Sequence, residues 1–184
     1  EASYNAAKVI EELTNKCGGL SQDCHVVWGG GEPTLSPRFK PVNEHLISTN
    51  AVTKVRVLSN SLKHSDQLHS LIADKRVHLV TSIDAGTPLV FREIRGKGDI
   101  AKVIENLQAY STTMKEKRRL TLKYILMPNN ASSSELESFV LLMLEAGLME
   151  SMFQISCDFT LESAPSLLVC AMYELAARLC TAGA

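Results

Sequence analysis

Three consecutive glycines, Gly29-Gly30-Gly31, followed by Glu32 and Pro33, close the short apolar run His25-Val26-Val27-Trp28. Without side chains, such a turn can take positive φ and lets a ligand touch the backbone itself. The residues behind it decide which ligand. A phosphate loop needs a Lys-Ser/Thr pair and a helix N-terminus directly after its glycines. Here a carboxylate would repel phosphate, and a proline removes an amide donor. The dinucleotide fingerprint GxGxxG also fails, because Thr34 stands at its last glycine position. Glycine carbonyls beside the negative field of Glu32 suit a cationic group, such as the ammonium of an amino acid. The plainer alternative is a tight turn that needs only flexibility.

The other reactive residue types give less. Cys17, Cys24, Cys157, Cys170 and Cys180 contain no CxxC pair, the spacing by which small modules bring two metal ligands from one turn. They read as reduced buried thiols and imply no metal site. His25, His45, His64, His69 and His78 show no ligand spacing, and solvation accounts for His64 and His69, which lie off the i, i+4 face. Lys115-Glu116-Lys117-Arg118-Arg119 reads as a solvated charged loop. Asp158 is the one candidate catalytic group, a carboxylate expected at the end of the last strand.

Hydrophobic periodicity supplies the elements that must position these residues. A helix is expected over residues 3–16 and strands at 25–28, 54–58, 76–83, 119–127 and 152–159. Helices are expected after Ser36-Pro37, Ser65, Asp99, Ser132 and Pro165, where capping residues precede apolar positions at helical spacing. Ser132 and Glu135 have capping-box spacing. The order is a helix followed by five βα units, which forces parallel pairing with right-handed crossovers. An open doubly wound sheet and part of a (β/α) barrel both satisfy that order. In either, ligands bind at the carboxyl ends of the strands. Gly29-Gly30-Gly31-Glu32, Ser59-Asn60-Ser61, Ser82-Ile83-Asp84, Asn129-Asn130 and Cys157-Asp158 all fall there.

Composition narrows the class. The chain has 184 residues, 45% hydrophobic and 21% charged, which suits a single α/β domain over residues 1–184. Its 19 basic and 20 acidic residues give no electrostatic footprint for nucleic acid. No apolar stretch is long enough to span a bilayer, and the start at Glu1 has no basic or apolar leader. A small-molecule ligand, no nucleic acid, no membrane and a cytoplasmic setting are therefore expected.

Val26 to Leu35, with Gly30-Gly31-Glu32-Pro33 at its centre, resembles the GGEP segment of the radical S-adenosylmethionine (SAM) superfamily. The segments that follow agree in order. Val55 to Ser61 resembles the family's third strand, Leu79 to Asp84 its fourth, Phe91 to Gly96 the Arg-Gly loop, and Leu122 to Asn130 the fifth. The resemblance implies a partial (β/α) barrel lacking the first strand of the family core. It implies SAM as cofactor, its methionine ammonium beside Gly30, Gly31, Glu32 and Pro33. Asn60, Ser82, Asp84 and Arg95 would line the same cleft. The family's reaction is reductive cleavage of SAM by a [4Fe–4S] cluster, yielding a 5′-deoxyadenosyl radical that abstracts hydrogen from substrate.

Two departures qualify this. The family holds its cluster with CxxxCxxC after the first strand, and the chain has neither that motif nor that strand. Ser59-Asn60-Ser61 stands where Thr-Asn-Gly is usual. The chain is therefore expected not to generate the radical alone. Three readings follow: a piece of a radical SAM enzyme with its cluster loop upstream, a non-catalytic SAM- or nucleotide-binding or interaction module, or an unrelated (β/α) enzyme. Without a preceding strand, 25–28 becomes a sheet edge, and a homodimer through that edge is expected.

Overall fold

The computed structural model describes residues 8, 11, 23–48, 52–96, 98–158 and 165–184. Lys8 and Glu11 are helical. The rest of the helix expected over 3–16, and the residues Cys17 and Phe159, lie outside the described residues.

Five strands, β1 (Cys24–Trp28), β2 (Val52–Leu58), β3 (Val77–Ser82), β4 (Leu120–Leu126) and β5 (Met152–Cys157), form one sheet. Every neighbouring pair is parallel. Besides the helical Lys8 and Glu11, six helices flank the strands among the described residues: α1 (Phe39–Ser48), α2 (Asp66–Leu71), α3 (Pro88–Arg95), α4 (Ile100–Thr113), α5 (Ser133–Glu145) and α6 (Ser166–Thr181). The spatial order of the strands is their order in sequence. That decides between the two architectures the sequence allowed. A doubly wound sheet reverses its winding at a switch point and takes helices on both faces. Sequential order with one crossover hand places them all on one face, and the sheet is an open segment of a barrel.

Burial alternates accordingly. Val55 and Val57 of β2, Leu79 of β3, and Leu120, Leu122, Tyr124 and Leu126 of β4 are buried under the helices. Phe139 of α5 packs edge-on against Tyr124, ring centroids 4.8 Å apart. Trp28 lies edge-on to Phe39 at 5.4 Å and donates its indole N–H to Asn43 Oδ1 at 2.9 Å, fixing α1 under the end of β1. The opposite, concave face is mixed, with basic, neutral polar and apolar side chains side by side. Val27 there is 59% exposed. Val27 lies opposite Arg56, Arg56 opposite His78, Ser82 opposite Lys123, and Lys123 opposite Gln154.

One element differs from expectation. The segment Phe91 to Gly96, expected as a loop from the resemblance, lies in the helix α3 up to Arg95. Thr87 Oγ1 accepts from the N–H of Val90, Pro88 takes the first helical turn, and Gly96, at φ +73°, ends it. The helix carries two basic residues in its last turn and buries only Phe91, so its apolar stripe was too narrow to register as periodicity.

Candidate functional site

The carboxyl end of the sheet carries two clusters. The first is the glycine turn. Gly30 and Gly31 have φ of +83° and +126°, which excludes most side chains on backbone grounds. A Cβ placed on either would meet no atom within 4 Å, so the outer side of the turn is open space. A cation could approach the turn's backbone without displacing protein.

Glu32 behind it is fully engaged. Its Oε1 accepts from Thr34 Oγ1 at 2.6 Å, from the Thr34 amide at 3.3 Å and from Ser59 Oγ at 3.0 Å. Its Oε2 accepts from the Asn60 amide at 2.7 Å. The carboxylate therefore caps the short 3-10 turn Pro33–Leu35 and ties it to the end of β2. It shapes the turn and adds negative field, and its oxygens are not spare acceptors. Pro33 is buried. Ser61, at φ +53°, shares a 2.8 Å hydrogen bond with Thr81 Oγ1, and its carbonyl accepts from Asn106 Nδ2 at 2.8 Å. The Ser59–Ser61 loop is thus held on three sides, with the Asn60 side chain exposed.

The second cluster forms where β3 ends. Ser82 is half-buried, and Asp84, at φ +57°, is 2% exposed. Asp84 Oδ1 accepts from the Ile125 amide at 2.7 Å, and its Oδ2 binds the Arg95 guanidinium. Its carbonyl accepts from Asn130 Nδ2 at 2.9 Å. Burial pushes the Asp84 carboxyl upward, opposed by the Arg95 charge and the Ile125 amide. Asn130 also donates to the Ile125 carbonyl at 2.9 Å and accepts from the Met127 amide at 2.7 Å. Both residues expected to face a ligand, Asp84 and Arg95, are therefore bonded to each other, joining β3, β4 and α3.

Glu135 belongs to this cluster, a role the sequence concealed. Ser132 Oγ accepts from the Glu135 amide, so half of the expected capping box forms. The Glu135 carboxylate does not return to Ser132. It accepts from the amides of Gly86 (2.5 Å) and Thr87 (2.9 Å) and from Thr87 Oγ1 (2.9 Å). The capping-box spacing masked a longer-range bond that only the fold supplies.

The remaining candidates disperse. Asp158 follows β5, its amide donating to the Leu126 carbonyl at 3.0 Å. Cys24 starts β1 at the amino end of the sheet, Cys157 ends β5 at the carboxyl end, and Cys170 and Cys180 are exposed on α6. Among the described residues no group of three metal-ligating side chains converges. These thiols do not fit an iron–sulfur cluster, which needs its three protein ligands at one end. His64 and His69 are not simply solvated. Their rings bond at 2.9 Å, His69 Nε2 lies 2.6 Å from Thr113 Oγ1, and His64 stacks on Tyr110 at 5.1 Å. The loop before α2 brings together two rings that helical spacing would have separated.

No protein-family model matches the chain, and no curated protein does. Among solved structures, SuiB of Streptococcus suis, determined bound to precursor peptide SuiA, superposes with a TM-score of 0.59 at 14% identity. The match covers 85% of this chain and 33% of that one, so this chain spans about a third of the SuiB chain. The likeness shows the fold alone, an α/β partial barrel whose five-stranded parallel sheet is not closed.

Proposed function

We propose that this chain is a radical SAM-like domain that binds S-adenosylmethionine at the carboxyl end of its sheet. The observation that carries the reading is the open turn at Gly30 and Gly31, with positive φ at both, followed by Glu32, whose carboxylate is held by Ser59 and Asn60. In this reading the backbone of the turn takes the methionine ammonium, and the Glu32 charge favours it through space. Ser82 and Asn60 border the space where the nucleoside and carboxylate would lie. Asp84 and Arg95 hold the strand ends in place. The described cysteines provide no cluster site, so no radical step is assigned to them, and such a step requires ligands from elsewhere. A cytoplasmic setting fits the four free thiols at Cys24, Cys157, Cys170 and Cys180. Among the described residues no helix is long and apolar enough to cross a membrane.

Calorimetry with S-adenosylmethionine tests the reading. Saturable heat is expected at a Kd of about 1 mM or tighter, which corresponds to about 4 kcal/mol. Gly30→Val, which forces a β-branched residue into positive φ, should abolish it, while Cys170→Ser on α6 should leave it unchanged. No heat at millimolar ligand removes the assignment. Heat with adenosine but none gained from the methionine part would favour a nucleotide-binding module.

A further inference from the structure

At the opposite, amino end of the sheet, Arg119 is 3% exposed. Its Nη1 donates to three carbonyls, those of Ile72 (3.0 Å), Asp74 (2.7 Å) and Val77 (2.9 Å). One nitrogen with two protons thus serves three acceptors, while the buried Nε has no partner among the described residues. No described carboxylate forms an ion pair with this guanidinium. Asp74 lies within reach of its charge but is bound by Arg76 through Nε at 3.0 Å and Nη2 at 2.8 Å. A buried arginine compensated only by carbonyl dipoles is an unusual arrangement, since buried charges are normally paired with an opposite charge.

The same guanidinium borders a cavity of about 620 Å³, lined also by Ile47, Ala73, Asp74, Lys75, Arg76, Lys115 and Glu116. Four cations face two carboxylates there. Once the Arg76–Asp74 pair is set aside, Arg119, Lys75 and Lys115 oppose Glu116 alone, leaving two positive charges. Lys75 and Lys115 are exposed on the two loops that enter β3 and β4. The field extends further: the charges of Lys54, Arg119 and Arg56, opposed by Glu116, act on His78, a half-buried imidazole on β3. A chain with nearly balanced total charge thus concentrates cations at this one end.

We propose that this cavity binds a dianionic phosphate or diphosphate group, with Lys75 and Lys115 contacting its oxygens and Arg119 supplying the buried counter-charge. Two positive charges match a dianion. A flexible pair of ammonium groups over a buried guanidinium is suited to phosphate oxygens. The site is distinct from the glycine turn, whose Glu32 and Pro33 disfavour phosphate, and it does not depend on the function proposed above.

Titration of the chain with inorganic diphosphate and with inorganic phosphate, at ionic strength fixed by sodium chloride, tests this by calorimetry. Saturable binding is expected for at least one of them. Lys75→Ala with Lys115→Ala should weaken it at least tenfold, each lost charge-assisted hydrogen bond counting for several-fold. Glu116→Gln should tighten it, a gain that misfolding cannot produce. A Lys40→Ala, Lys102→Ala control, which removes two lysines elsewhere, should leave it unchanged. The proposal is overturned if neither anion binds saturably, if the Lys75 and Lys115 variant binds as well as the parent, or if the control loses as much. Tighter binding of diphosphate would point to nucleotide-type ligands, and equal binding to a single phosphoryl group.

Discussion

Glu32 shows how one side chain can be both conspicuous in sequence and structural in role. Its carboxylate organises the turn, the 3-10 segment and the Ser59–Asn60 loop. His78 makes the complementary case, a residue inconspicuous in sequence whose surroundings alter its chemistry. Burial, then the charges of Lys54, Arg119 and Arg56, hold its imidazole down at about 4 against an ordinary 6.5. A histidine with a depressed folded-state value is neutral in the native chain and protonated first in the unfolded one. The unfolded state then binds more protons, and stability falls as pH drops from 6.5 toward 4. His78→Gln should flatten this part of the stability profile, read as urea midpoints between pH 7 and pH 4. Equal slopes for the parent and the variant would assign the acid loss to other groups.

At the scale of elements, the junction of β3, α3 and α5 is close-packed at Gly86. A Cβ at Gly86 would lie 2.2 Å from the Phe139 amide nitrogen and 2.4 Å from the Glu135 carbonyl oxygen. Both are backbone atoms of α5, so the clash cannot be relieved by turning a side chain. Gly86→Ala should therefore push α5 off the sheet. The expected cost is about 3 kcal/mol, at the upper end of what overpacked sites show, measured as a lower urea midpoint at unchanged m-value. Gly147→Ala, with open space around it but φ at +66°, should cost less, about 1 kcal/mol from backbone conformation alone. A Gly86→Ala chain as stable as its parent would show that α5 can slide. Sequence periodicity located α5, through Leu136, Phe139, Val140, Met143 and Leu144, of which Leu144 is exposed, yet it could not show that a glycine 50 residues earlier sets the distance of α5 from the sheet.

At the scale of the whole molecule, the sheet is an arc with β1 and β5 each hydrogen-bonded to one neighbouring strand among the described residues. Parallel strand edges of this kind invite pairing with another chain. Association through β1 is expected to appear as a sedimentation coefficient that rises with protein concentration, and a constant monomer mass would exclude it. The five strands, the helices other than α3, their order and their parallel pairing were legible in the sequence, because each βα unit carries its own periodicity and caps. So was the glycine turn, a local feature whose unusual backbone follows from residue type. Membership of the carboxyl-end cluster was half legible: Asp84 and Asn130 stand where strand ends must be, while Glu135 and the helix α3 were hidden. The charge at the amino end was read as a solvated loop, although Arg119 within it is buried. Sequence alone determined the open glycine turn and the succession of strands, since both depend on neighbours in the chain. Only the tertiary structure decided that Glu32 and Asp84 act as clamps and that Arg119 lies buried with no carboxylate paired to it among the described residues. Those outcomes depend on which distant groups reach the same few ångströms, and hydrogen bonds and desolvation act only at that range.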